Sequence, residues 1–184
     1  LIQNGTVDAV FATYTITPAR AQKVAFAGPY YNSGAAIMVK ADDESIKSVN
    51  DLNGKTVATE ANSTAVLALQ KFAPQATPLL FQEEAQCVAA VQQGRAVAYV
   101  LDQAILISDA STNPAVKVVG EPFTQEPYGI GLPHDDPAAK QFVNDWLAKI
   151  YSGGSWAKMW AAPVGTLVNG APPPTPKLGS VAGS

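Results

Sequence analysis

The sequence predicts an α/β fold built on doubly wound sheets, and three observations carry that expectation. Short apolar runs of strand length alternate with helical patterns of about ten residues between Thr56 and Gly120, as consecutive βαβ units require. The runs are separated by short stretches rich in glycine, proline and small polar residues, which are turn-forming. A long amphipathic pattern, "DDPAAKQFVNDWLAKIYSGG", closes the ordered-looking part of the chain.

Taken in order, "VDAVFAT" (7–13) reads as a buried strand ending in polar residues, and "KVAFAGPYY" follows it. "GAAIMVKA" (34–41) is an extended apolar run bounded by glycine and charge. "SVNDLNGKTVATEANSTAVLALQKF" gives a short helical turn, a strand at Thr56–Thr59, a loop, and a helix from about Thr64. "ATPLLFQ" is a strand, and 83–93 is a helix that stops at Gly94. "AVAYVL" (96–101) is a strand, followed by a helix near 103–111 and the strands "VKVVG" and "EPYGIGLP". In the long helix Asp136 is placed to cap, Pro137 suits the first turn, and Gly153 or Gly154 ends it. Phe142, Val143, Trp146, Leu147 and Ile150 form its apolar stripe, and "SWAKMWAA" adds a short helix. The tail "GAPPPTPKLGSVAGS" (170–184) has almost nothing to bury and is expected to be disordered.

Composition narrows the function classes. The 184 residues are 47% hydrophobic, enough for one or two cores, and only 15% charged, which suits an exported protein. A net charge of −3 with no basic run argues against a nucleic-acid partner. No apolar run approaches the ~18–20 residues needed to cross a bilayer. A single cysteine, Cys87, excludes an internal disulfide and a cysteine-based metal site. It shares a helical face with Val88 and Val91 and is expected to be a buried small residue. The single histidine, His134, lies in the turn-like "LPHDDP" and makes neither a zinc site nor a triad, so no metal or cofactor is expected.

Three features carry chemistry. Thr13, Thr15 and Arg20 lie on a strand end and the loop after it, where open α/β sheets bind ligands. A guanidinium there can hold a carboxylate through two parallel hydrogen bonds. Ser63 and Thr64 begin a helix, whose first-turn N–H groups attract an anion; plain capping by Ser63 is the competing reading. Asp102 directly follows the apolar strand 96–101, placed to hold an ammonium group or to cap the next helix. Together they supply an anion clamp and a cation acceptor, the two ends of a free amino acid.

The run "DAVFATYTITPARAQKVAFAGPYYNSG", with "DLNGKTVA", "NST" and "VAYVLD", resembles the polar amino-acid-binding proteins of ABC importers, solute-binding protein family 3. "FVNDWLAKIYSGGSWAKMW" resembles that family's C-terminal signature, and the resemblance runs from about Leu1 to Trp160. It implies a two-lobed periplasmic-binding-protein-like (type II) fold, with doubly wound sheets joined by two hinge strands, Tyr30–Gly34 and Gln125–Tyr128. Lobe one is then 1–30 plus 128–169, and lobe two is 35–124. The resemblance further implies an extracytoplasmic, non-enzymatic receptor, periplasmic or extracellular. It would capture a polar amino acid of glutamine, glutamate or asparagine type between its lobes and pass it to an ABC permease. In that scheme Arg20 holds the α-carboxylate with Ser63 and Thr64, and Asp102 accepts the α-ammonium with the Thr13 carbonyl and the Thr15 hydroxyl. Glu60 takes a position that often faces the ligand's own side chain, where an acid disfavours glutamate unless it is protonated or turned aside.

The chain departs from the family at two places. Asn62 replaces the usual glycine before the Ser/Thr pair, and asparagine tolerates the left-handed conformation better than most residues. A further βαβ segment, worth at least ~30 residues, precedes "LIQNGTVDAV" in the family. The chain, which opens on Leu1, is therefore expected to be a piece of a longer protein. Lobe one is expected to be incomplete, with a free strand edge that promotes association. A lipid on the missing segment is the expected membrane anchor, if one exists. Two other functions stay open: a dehydratase of the cyclohexadienyl or arogenate type on the same fold, with Glu60 or Asp102 as general acid, and a ligand-sensing ectodomain.

Overall fold

The computed structural model describes residues 1–168 and 172–184. It comprises two compact units, Leu1–Asn32 with Glu126–Ser184, and Ser33–Gln125. In chain order the elements are α1 (Pro18–Ala21), β1 (Ala25–Ser33), β2 (Ala35–Lys40), β3 (Thr56–Glu60), α2 (Thr64–Phe72) and β4 (Thr77–Phe81). They continue with α3 (Glu84–Gln92), β5 (Ala98–Asp102), α4 (Gln103–Thr112), β6 (Val116–Val119), β7 (Glu126–Leu132), α5 (Pro137–Ser152), α6 (Ser155–Trp160) and α7 (Thr166–Val168).

The unit formed by 33–125 contains a five-stranded sheet in the order β4-β3-β5-β2-β6. β3 runs parallel to β4 and to β5, while β2 is antiparallel to both β5 and β6. The alternation between Thr56 and Gly120 predicts parallel strands, and β3, β4 and β5 follow it, whereas β2, which precedes that stretch, runs against β5. β2 pairs with β5 and β6, neither of which follows it through a single crossover helix, so the βαβ pattern does not set its direction. β2 lies inside the sheet, and Ala35 to Val39 are all buried, which explains the unbroken apolar run. β4 is an edge strand with mostly exposed residues and carries Pro78, a residue that central strands exclude. Small residues let the helices approach the sheet: Ala65 and Ala68 on α2, and Cys87 and Ala90 on α3, are buried with Leu69 and Val91.

The other unit holds a two-stranded sheet of β1 and β7. Residues 7–13, expected as a buried strand, instead touch β7 through one isolated bridge, Val10↔Gly131, with a second just beyond at Thr15↔Tyr128, and Ala9 and residues 11–13 are exposed. Isolated bridges supply no continuous ladder, so the segment does not form a strand. Gly129 is required where the segment crosses β7, since a Cβ there would lie 2.7 Å from Ile16 Cγ1. α5 starts as expected: Asp136 Oδ1 accepts from Ala139 N at 2.9 Å, Pro137 occupies the first turn, and Gly153 caps the end.

Its stripe is narrower than expected. Val143, Leu147 and Ile150 pack on Ala27, Ile130 and Leu132, while Phe142 and Trp146 share an exposed face. α5 and α6 also occupy the outer edge of β1. Asn144 Oδ1 accepts from Gly28 N (3.0 Å), Tyr151 Oη donates to the Pro29 carbonyl (2.8 Å), and Trp156 Nε1 donates to the Tyr30 carbonyl (2.8 Å).

Disorder is expected from composition over 170–184. Residues 170 and 171 lie outside the described residues. Residues 172–184 form neither helix nor strand, but Pro176 is buried and Leu178 and Val181 pack on the apolar clusters of this unit. Two apolar side chains with a surface to cover change the balance that a proline-rich composition suggests.

Candidate functional site

The seven candidate residues fall into two groups, one in each unit. In the first unit, Thr15 is buried beside β7, and Thr17 caps α1 by accepting from Arg20 N at 3.2 Å. The Arg20 side chain turns back so that Nη1 donates to the Thr15 carbonyl at 3.0 Å, and its guanidinium lies 5.1 Å from the Tyr14 ring centre. One donor of five is thereby fixed, and the rest of the fork is held half-buried at the rim of a cavity of about 270 Å³ that Lys23 also lines. Two cations beside a partly desolvated cavity suit a carboxylate. Thr13 is exposed.

In the second unit the sheet brings Glu60, Ser63, Thr64 and Asp102 to one edge. β3 and β5 are adjacent and parallel, so their carboxyl ends emerge together, and Thr59 Oγ1 ties them by donating to the Val100 carbonyl at 2.9 Å. Asn62 has φ 65°, the left-handed conformation expected of the residue that replaces glycine. That turn delivers Ser63 to the N-cap position of α2, but its hydroxyl makes no cap bond. It donates instead to the Glu60 carbonyl at 2.8 Å. The first-turn N–H groups of α2 are therefore not taken by the Ser63 side chain. Asp102 is buried at the end of β5, opposite Ala35, and its side chain does not cap α4. Both capping alternatives fail at the same place in the fold.

Glu60 is half-buried rather than solvated. Burial, then the charges of Glu83 and Asp109, raise its carboxyl above the usual range. Sequence reasoning missed the group beside it. Glu84, at the start of α3, is pushed up to about 7 by burial, by its hydrogen bond with Asp109 of α4, and by the charges of Asp109 and Glu60. The Oδ2 atom of Asp109 is buried without a hydrogen-bond partner, and a protonated Glu84 carboxyl beside Asp109 is a donor suited to that carboxylate. Only the acidic pair Glu83–Glu84 signalled this in sequence, and a helix N-terminus explains such a pair equally well. Cys87 is fully buried below it, its thiol pushed up to about 12 by burial and by the charge of Glu60. His134 is exposed. Among the described residues no group of three or more histidine, cysteine, aspartate or glutamate side chains is arranged to hold a metal ion. Among the described residues no helix is long and apolar enough to cross a membrane.

Residues 1–162 match the family model of bacterial extracellular solute-binding proteins, family 3. The chain is 36% identical over 165 residues to a glutamate-binding protein of Corynebacterium efficiens, covering 86% of the chain and 56% of that protein. It is 35% identical over 161 residues to the ABC transporter glutamine-binding protein of Bacillus subtilis, covering 87% and 59%. The chain thus spans little more than half the length of these relatives. Among solved structures, an ancestral arginine-binding protein bound to glutamine aligns with a TM-score of 0.83 at 34% identity, over 89% of this chain and 74% of that one. An ancestral amino acid-binding protein described as a precursor of cyclohexadienyl dehydratase aligns with a TM-score of 0.78 at 36% identity, over 86% and 70%.

Proposed function

The chain belongs to the bacterial extracellular solute-binding proteins of family 3, with their type II fold, and from that premise we propose that it serves an ABC importer as a receptor for a polar L-amino acid. The ligand is of glutamine, glutamate or asparagine type, and the receptor acts outside the cytoplasm without catalysing a reaction. It hands its ligand to the importer's permease, and a lipid anchor on the complete protein belongs to the same proposal.

The observation that carries the reading is the state of Arg20. Its guanidinium is braced by the Thr15 carbonyl, so most of its donors are preorganised for a carboxylate. The α2 start at Ser63 and Thr64 adds backbone N–H groups for the same anion. Asp102, buried at a strand end, accepts the α-ammonium with the Thr13 carbonyl and the Thr15 hydroxyl. Glu60 faces the ligand's side chain.

Isothermal calorimetry with the twenty amino acids tests this. Arg20→Ala is expected to weaken binding by ~2–5 kcal/mol, more than tenfold. Arg20→Lys should fail nearly as badly, because a point charge cannot reproduce the planar fork. Binding of Arg20→Ala at wild-type strength would refute the clamp.

A second reading is favoured by one observation, the raised carboxyl of Glu60, which suits a general acid of the cyclohexadienyl or arogenate dehydratase type. Incubation with those cyclic precursors, followed by ultraviolet absorbance of the aromatic product, separates the two. Turnover lost in Glu60→Gln would establish the enzyme.

A further inference from the structure

The clamp loop is short of internal support. α1 has four residues, far below the length at which a helix holds itself together in water. Beyond its own hydrogen bonds, the loop is placed by packing at its two feet, Ile16 and Val24, which lie in one buried cluster with Ile2 and Phe26.

The C-terminal segment completes that cluster. It lies beyond the stretch of chain that the family model matches. The Gly179 N–H donates to the Gly28 carbonyl at 2.9 Å, fixing the segment to β1. On either side of that bond Leu178 packs on the α5-facing cluster and Val181 on the cluster of Ile16 and Val24. The chain then turns: Ser184 N and Oγ both donate to the Val181 carbonyl, at 3.0 and 2.7 Å. The turn lays Gly183 against Ala21, the residue after Arg20. A Cβ at Gly183 would come within 2.5 Å of the Ala21 Cβ, and its φ of +96° already excludes other residues.

We infer that residues 176–184 are a strap that positions the Arg20 loop, with Val181 and Gly183 as its positioning residues. The strap holds Ile16, Ala21 and Val24 together, and so sets where the guanidinium stands when ligand arrives. Its effect on affinity rests on the clamp proposed above; its effect on the loop does not.

The test uses the full chain and Gly183→Val, which cannot adopt the strap conformation and touches no element of either sheet. Hydrogen exchange reads the loop without ligand, at the amides of Lys23 and Val24, both bonded to the Arg20 carbonyl. Their exchange is expected to accelerate at least tenfold. Affinity for the best amino acid of the calorimetric screen should fall about tenfold with the unfolding midpoint of the 33–125 unit unchanged. In a chain truncated after residue 171, a synthetic 172–184 peptide should restore both readouts. Unchanged exchange in Gly183→Val overturns the strap. So does wild-type affinity in Gly183→Val when Arg20→Ala has lost binding, which leaves the clamp intact. Accelerated exchange with Arg20→Ala binding normally supports the strap and removes the clamp.

Discussion

Replacing Glu84 by glutamine removes one charge from a partly buried pair, and its effect should depend on pH in a direction fixed by the pair. The Glu84 carboxyl is raised from 4.5 to about 7, burial being the largest cause and Asp109 the next. A raised carboxyl binds its proton more tightly in the folded state. Between pH 4.5 and 7 the folded protein therefore holds the extra proton, and stability falls as pH rises through that window. The full shift corresponds to about 3 kcal/mol, at 1.36 kcal/mol per unit. Glu84 is only partly buried, so solvent screening reduces this to about 1–2 kcal/mol.

Glutamine is neutral at every pH, and its amide N–H is a donor for the Asp109 carboxylate in place of the Glu84 proton. Urea unfolding of the two proteins at pH 4, 5.5, 7 and 8 measures the difference, in which carboxylates common to both cancel. The curves should agree within a few tenths of a kcal/mol at pH 4. Glu84→Gln should be the more stable by about 1–2 kcal/mol at pH 8. A difference independent of pH, or a wild type that gains on the variant as pH rises, would refute the shared proton.

Three further outcomes are expected. Gly34→Ala should destabilise the 33–125 unit by about 2–3 kcal/mol in the same urea assay. The added Cβ would stand 2.4 Å from the Thr124 carbonyl oxygen and 2.7 Å from Pro122 Cβ. Cys87 should resist a thiol reagent at pH 8 and react only on unfolding, since its thiol is buried and pushed up to about 12; rapid labelling of the native protein would contradict this. Glutamate should bind more tightly at pH 5 than at pH 8, because Glu60 is raised and protonates above the usual carboxylate range. Glutamine should bind alike at both, and parallel pH profiles for the two ligands in calorimetry would remove Glu60 from the ligand's side chain.

The sequence by itself determined what depends on neighbours in the chain. The αβ alternation from β3 to β6, the Asp136–Pro137 start of α5 and the left-handed turn at Asn62 are all local. Each follows from apolar period, cap chemistry or backbone freedom, which are written within a few residues. The strand-end and helix-start placement of the candidate residues was legible for the same reason, and so was the family, because its motifs are contiguous.

Tertiary structure decided what depends on residues distant in the chain. The direction of β2 follows from its partners β5 and β6, some sixty to eighty residues further on. The loss of strand character at 7–13 follows from meeting β7 only at isolated bridges. Ser63 and Asp102 looked like caps, and only the fold showed that neither bonds the helix it precedes. The Glu84–Asp109 pair joins two helices, and the seat of the tail on β1 joins the end of the chain to residues near its beginning. Burial, shared protons and strand direction are properties of assembled neighbours, and composition carries no record of which neighbours will meet.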